Sequence, residues 1–179
     1  MTKRGFTLIE MMIVLAVIGT LVAVIVPRVS GMTMKAKDSK RKADLKAIQL
    51  ALETFFEDNG YYPQSACGWD CNGYRFSTAG AQWIPELAQY FPGGALPQDP
   101  RNNCERPWDS GCFTYSYGNV GRTTHPPSYD LTAHLENPQD PDRCAAKCYR
   151  WYFDNQPWCA ACGGNYHDQL YELGPLTPS

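Results

Sequence analysis

Between Phe6 and Val26 the chain runs for 21 residues with a single ionisable group, Glu10. As an α-helix rising 1.5 Å per residue, such a run spans about 31 Å, the thickness of a bilayer's hydrocarbon core. Nothing later matches it, because beyond Asn59 the sequence turns to Gly, Pro, Tyr, Trp and Cys. The chain is therefore built in two parts, an apolar rod and a remainder large enough for one core. Lys3 and Arg4 precede the rod, which predicts a cytoplasmic N-terminus and export of the C-terminal part. A secretory signal peptide fits poorly, since its apolar core is shorter and ends at a small-residue cleavage motif. A plain signal-anchor helix accounts for everything except Glu10. A carboxylate within an apolar helix costs on the order of 2.5–3.5 kcal/mol, so it marks a partner or a function, unless it reaches back to water at the membrane edge.

The residues around Glu10 decide between these readings. Lys3-Arg4-Gly5 followed by Phe6-Thr7-Leu8-Ile9-Glu10-Met11-Met12 resembles the class III leader of type IV pilins and type II secretion pseudopilins. The resemblance implies cleavage after Gly5 by a membrane prepilin peptidase and methylation of the new terminus at Phe6. It also places Glu10 at the family's acidic assembly position. The physics agrees, because an ammonium created at Phe6 and a neighbouring subunit's Glu10 attract strongly where the dielectric is low.

Past the apolar run, Ala36, Ala43, Ala47, Ile48, Ala51, Leu52, Phe55 and Phe56 recur mostly at steps of three, four or seven, the period of an amphipathic helix. One helix from Phe6 to about Asp58 is expected, roughly 80 Å long. Gly19 and Pro27 predict a kink near residues 23–27, and pilins often carry a glycine and a proline at the corresponding places. Asn59-Gly60 is a stop signal, and Asn59-Gly60-Tyr61-Tyr62-Pro63 again resembles pilin helices. Lys35, Lys37, Lys40, Arg41, Lys42 and Lys46, interleaved with Asp38 and Asp44, read as a solvated helix flank.

The expected class is α+β: a pilin fold, its long N-terminal helix packed on a small antiparallel sheet with a disulfide-rich C-terminal region. Residues 1–5 are the cleaved leader, 6–30 the membrane and assembly half of the helix, 31–60 its amphipathic half and 61–179 the head. Strands are expected at Phe113–Tyr117 and Ser128–Leu135, within a meander of three or four, and a short helix or turn around Trp83–Tyr90.

All eight cysteines lie beyond the apolar run, and an even count behind an export segment argues for disulfides. Cys67 with Cys71 and Cys104 with Cys112 are expected to close locally. For Cys144, Cys148, Cys159 and Cys162 three connectivities stay open, the nested one preferred, and their spacing also suits a four-thiolate zinc site. Leu96-Pro97-Gln98-Asp99-Pro100 resembles the loop of major pseudopilins beside which calcium binds, which makes Asp99 a calcium candidate. The later Asp140 and Asp142 lie in Pro-flanked loop sequence. Carboxylates in ordinary turns are the competing reading, and no cofactor is otherwise expected.

No catalytic set emerges. His125, His134 and His167 read as surface histidines, and no phosphate loop is present, so no enzyme is expected. The aromatics Trp151, Tyr152, Phe153, Trp158, Tyr166 and Tyr171 form either a glycan-binding face or the packing of a stapled lobe. Net charge is −2, and −4 without Lys3 and Arg4, which gives no ground for a nucleic-acid partner. The reading favoured is a subunit of an extracellular type IV pilus-like filament serving adhesion, motility or DNA uptake. Its partners are further copies of itself, the prepilin peptidase, the assembly platform with its cytoplasmic ATPase, and the inner membrane before assembly. The alternatives are a pseudopilin of a type II secretion system and a minor pilin acting as an adhesin.

Overall fold

The computed structural model describes residues 6–65, 74–104, 111–119, 129–143 and 170–176, with the backbone alone at 24–30. Helix α1 spans Leu8–Asn59, 52 residues, and runs through Gly19 and Pro27 without interruption. It starts where Thr7, in extended conformation, caps it: the Thr7 hydroxyl accepts from the Glu10 amide while the Glu10 carboxylate accepts from the Thr7 amide. It stops where Gly60 enters the left-handed region at φ 78°, its N–H donating to the Phe56 carbonyl at 2.7 Å. The expected boundaries are thus met within two residues.

Four strands come after the helix: β1 (Tyr74–Phe76), β2 (Ser116–Gly118), β3 (Asp130–His134) and β4 (Leu170–Leu173). They pair antiparallel in the order β1-β2-β3-β4, a simple meander, with Tyr117 opposite Leu131 and Ala133 opposite Tyr171. The class is α+β, as expected. The expected strand at Phe113–Tyr117 lies a few residues further on, because Phe113–Tyr115 are buried in extended chain that lacks the ladder partners β2 has. Ser77 holds that stretch instead: its hydroxyl accepts the Tyr115 amide at 3.0 Å. The turn expected near Trp83 is a 3-10 helix over Pro85–Tyr90, with Trp83, Ile84 and Leu87 buried.

Leu45, Ile48, Leu52 and Phe55 come round on one side of α1 and meet Tyr115, Tyr117, Tyr129, Leu131 and Ala133 from the sheet, forming a single core. Tyrosine is usable there because each hydroxyl finds an acceptor at the edge. Tyr129 and Tyr62 both donate to Glu53, Tyr115 to Asp44, and Tyr117 to the Pro63 carbonyl. Burial and those carboxylates together push the Tyr115, Tyr62 and Tyr129 phenols well above their ordinary range. Tyr171, expected in a stapled lobe or a binding face, sits on β4 as part of this core. Cys104 and Cys112 form the local disulfide expected of them, with Cα atoms 5.5 Å apart. Gly5, the other six cysteines, His125, His167 and the remaining C-terminal aromatics lie outside the described residues.

Candidate assembly site

The first half of α1 presents its apolar side chains to the surroundings. Phe6 is 77% exposed and Leu8 79%, and Ile9, Met12, Ile13, Leu15 and Leu21 all exceed half exposure. A run of this kind is not stable as a lone surface in water, and far exceeds the scattered apolar residues of ordinary surfaces. Among the described residues no helix is long and apolar enough to cross a membrane. The side chains described at this end stop at Ala23, short of the Val26 that closes the run in sequence.

At the tip of this rod the structure brings Phe6, Thr7 and Glu10 together. Glu10 Oε2 accepts from the Thr7 amide at 2.8 Å and the Thr7 hydroxyl at 2.7 Å. Its Oε1 takes no hydrogen bond among the described residues, so one lone-pair set faces outward from an otherwise apolar end. A local cap thus positions the carboxylate and leaves half of its accepting capacity for another group.

The second half of α1 corrects the reading of a solvated basic flank. Arg41 is fully buried. Its Nε and Nη2 fork onto Asp99 at 2.7 and 3.1 Å, Nη1 reaches Asp38 at 2.8 Å, and Nη2 also reaches Glu136 at 2.8 Å. Arg101 adds a contact to Glu136 at 2.7 Å, and Lys37 approaches the same carboxylate at 3.8 Å. Three cations thus face three carboxylates. Phe113 lies between the two guanidinium groups, 4.8 Å from Arg41 and 4.5 Å from Arg101. Burial opposes the charge on Arg41, but Asp99, Glu136 and Asp38 outweigh it and raise its pKa.

This network also decides the calcium candidate. Both oxygens of Asp99 face Arg41, and Oδ1 further accepts the backbone amides of Arg101 and Asn102. Asp99 therefore anchors its own loop to the helix and has no face left for a metal. Asp140 and Asp142 are likewise joined by Lys42, which is itself only partly exposed. Burial works against ionising Asp140, yet the Lys42 ammonium holds its pKa below the usual range. Among the described residues no group of three or more His, Cys, Asp or Glu side chains could hold a metal ion.

His134 is not a surface histidine. Its ring is buried against Phe113, Nδ1 meets the Cys112 carbonyl, and Nε2 has no hydrogen-bond partner. Burial lowers its pKa to about 4. Sequence reasoning missed Arg41, Asp38 and Glu136 as a unit. The legible signal was phase: positions 38 and 41 continue backwards the buried series 45, 48, 52 and 55.

Comparison with known proteins completes the picture. The prokaryotic N-terminal methylation motif family matches residues 1–26. The type II secretion system core protein G of Aeromonas hydrophila is 36% identical over 104 residues, covering 56% of this chain and 69% of that one. The chain belongs to the type II secretion core protein G family. The Escherichia coli K12 member is also 36% identical, over 105 residues and 68% of its length. The Pseudomonas aeruginosa member is 44% identical over 66 residues, 46% of its length. A match of 104 residues is longer than the stretch up to Pro63, so in this core protein G relative it takes in part of the head as well as the helix. No solved structure matches the chain.

Proposed function

We propose that this chain is a pseudopilin, a filament subunit of a type II secretion machine. This was the second of the sequence readings. It now stands ahead of the surface pilus because the 36% identity, over more than half the chain, is to proteins named for that secretion system. In this reading residues 6–26 anchor a single-pass precursor in the cytoplasmic membrane. Prepilin peptidase cuts after Gly5, Phe6 is methylated, and an assembly platform with its ATPase draws the subunit into a filament of its own kind.

The exposed apolar half of α1 with a half-satisfied Glu10 at its tip supports this reading most directly. In a bundle of such helices the apolar surfaces cover one another, and the free terminus at Phe6 of one copy supplies the cation that Glu10 Oε1 lacks. Gly19 and Pro27 remain the places where the helix would yield during packing.

Deleting the gene and measuring exported proteins tests the proposal. Loss of secretion, restored by the wild-type chain and not by Gly5→Leu, is the expected result, together with a methylated Phe6 terminus in sheared filaments by mass spectrometry. Intact secretion with loss of surface filaments would instead make this a pilus subunit.

A further inference from the structure

The outward side of the second half of α1 carries a pattern that the monomer does not use. Opposite the buried series, Met32, Ala36, Ser39, Ala43, Ala47 and Leu50 are all exposed, Met32 by 70% and Leu50 by 64%. Flanking this stripe, Lys35, Lys46 and Glu57 are exposed and take part in no ion pair among the described residues. They are spaced by 11 residues, which returns to the same helix face within about 20°. Neighbouring Lys40 and Lys42, by contrast, are paired within the chain.

We infer that a second copy of this chain covers this face, parallel to the first and advanced along the helix axis by about 22 residues, or ~33 Å. The inference rests on the filament reading above. Antiparallel packing would send the two apolar halves to opposite ends, so the copies are parallel. In register, Lys35, Lys46 and Glu57 would each face their own like charge. An advance of 11 residues pairs Lys46 with Glu57 but sets Lys35 against Lys46. An advance of 22 sets Lys35 of the advanced copy against Glu57 of the other and opposes no like pair among the three. It also lays the exposed apolar half of the advanced copy along the small-residue stripe, with Val14 level with Ala36 and Leu21 level with Ala43. Small side chains there let the backbones approach, and surface that leaves the membrane is covered at once by the soluble half of its neighbour. The stripe thus continues the apolar half of the same helix and has an occupant of matching chemistry.

Cysteine pairs placed in the full-length chain, produced in cells with its secretion machinery, read the offset directly. Sheared filaments carrying Lys35→Cys together with Glu57→Cys are expected to give an oxidation-dependent ladder of dimers and higher species, while neither single substitution does. A ladder from either single substitution overturns the offset in favour of in-register packing, and intact filaments with no ladder from the double variant overturn it too. In a second arm, Glu57→Lys is expected to cut filament yield about five-fold, as an exposed attraction turned to repulsion should, and adding Lys35→Glu restores it. Unchanged yield in Glu57→Lys overturns the charge pairing. Failure of the wild-type chain to polymerise at all would sink the filament reading itself, a result distinct from any of these.

Discussion

The two halves of α1 handle buried charge in opposite ways. Arg41 in the second half is enclosed by Asp38, Asp99 and Glu136, all from the same chain. Glu10 in the first half has only its own cap at Thr7, with the rest of its capacity unused. A charge placed in an apolar setting needs a partner of opposite sign, and the location of that partner separates a folding element from an assembly element. The second half is complete in the monomer; the first is complete only in company.

If that contrast is right, the largest effect belongs to Glu10. Glu10→Ala should insert and be processed normally but assemble poorly, because an uncompensated ammonium in an apolar bundle costs about 3–5 kcal/mol, a hundredfold or more in association. Quantitative blotting of sheared filaments against membrane precursor measures this, and normal filaments would erase the distinction between the halves. Arg41→Met should do the reverse. It leaves three carboxylates without their central cation and should lower folding stability by about 3–5 kcal/mol, read by denaturant unfolding of the detergent-solubilised chain through tryptophan fluorescence, with processing at Gly5 unaffected.

His134 sharpens the picture of the completed half. Its folded pKa, lowered by burial to about 4 from 6.5, means that between those values the unfolded chain binds a proton that the folded chain refuses. Stability should therefore fall as pH drops from 6.5 to 4, by on the order of 3 kcal/mol in all. His134→Gln should flatten that part of the unfolding profile. Protonation of Asp140 adds to the loss only at lower pH, since its depressed pKa keeps the Lys42 bridge intact until acid passes below the usual carboxylate range. The smallest effect expected is at the helix stop. Gly60→Ala meets open space but must hold φ near 78°, a left-handed conformation costing about 1–2 kcal/mol for a residue with a Cβ. Thermal unfolding would show a shift of a few degrees.

Much of α1 was legible in sequence because its signals are local. Thr7 with Glu10 three residues on is a capping box, Asn59-Gly60 is a stop, and the apolar period between them is continuous. The sheet was less so. β3 has enough β-branched and apolar alternation to be seen, but Tyr74–Phe76 is three residues long, and such a strand exists because β2 offers it a ladder. Lys40, Arg41 and Lys42 look equivalent in a charge count, yet they end up respectively exposed, buried and half-buried.

From its sequence alone this chain was bound to form one long helix, apolar at its start, with a single acid near the cleavage motif, because helix period, caps and hydropathy act over a few neighbouring residues. That Arg41 would be enclosed, that Asp99 would hold a guanidinium and not a metal, and that His134 would lie inside was decided only by tertiary structure. Asp99 and Glu136 reach Arg41 from 58 and 95 residues away, and the partner that stabilises a buried charge is set by how the chain packs, not by what stands beside it in order.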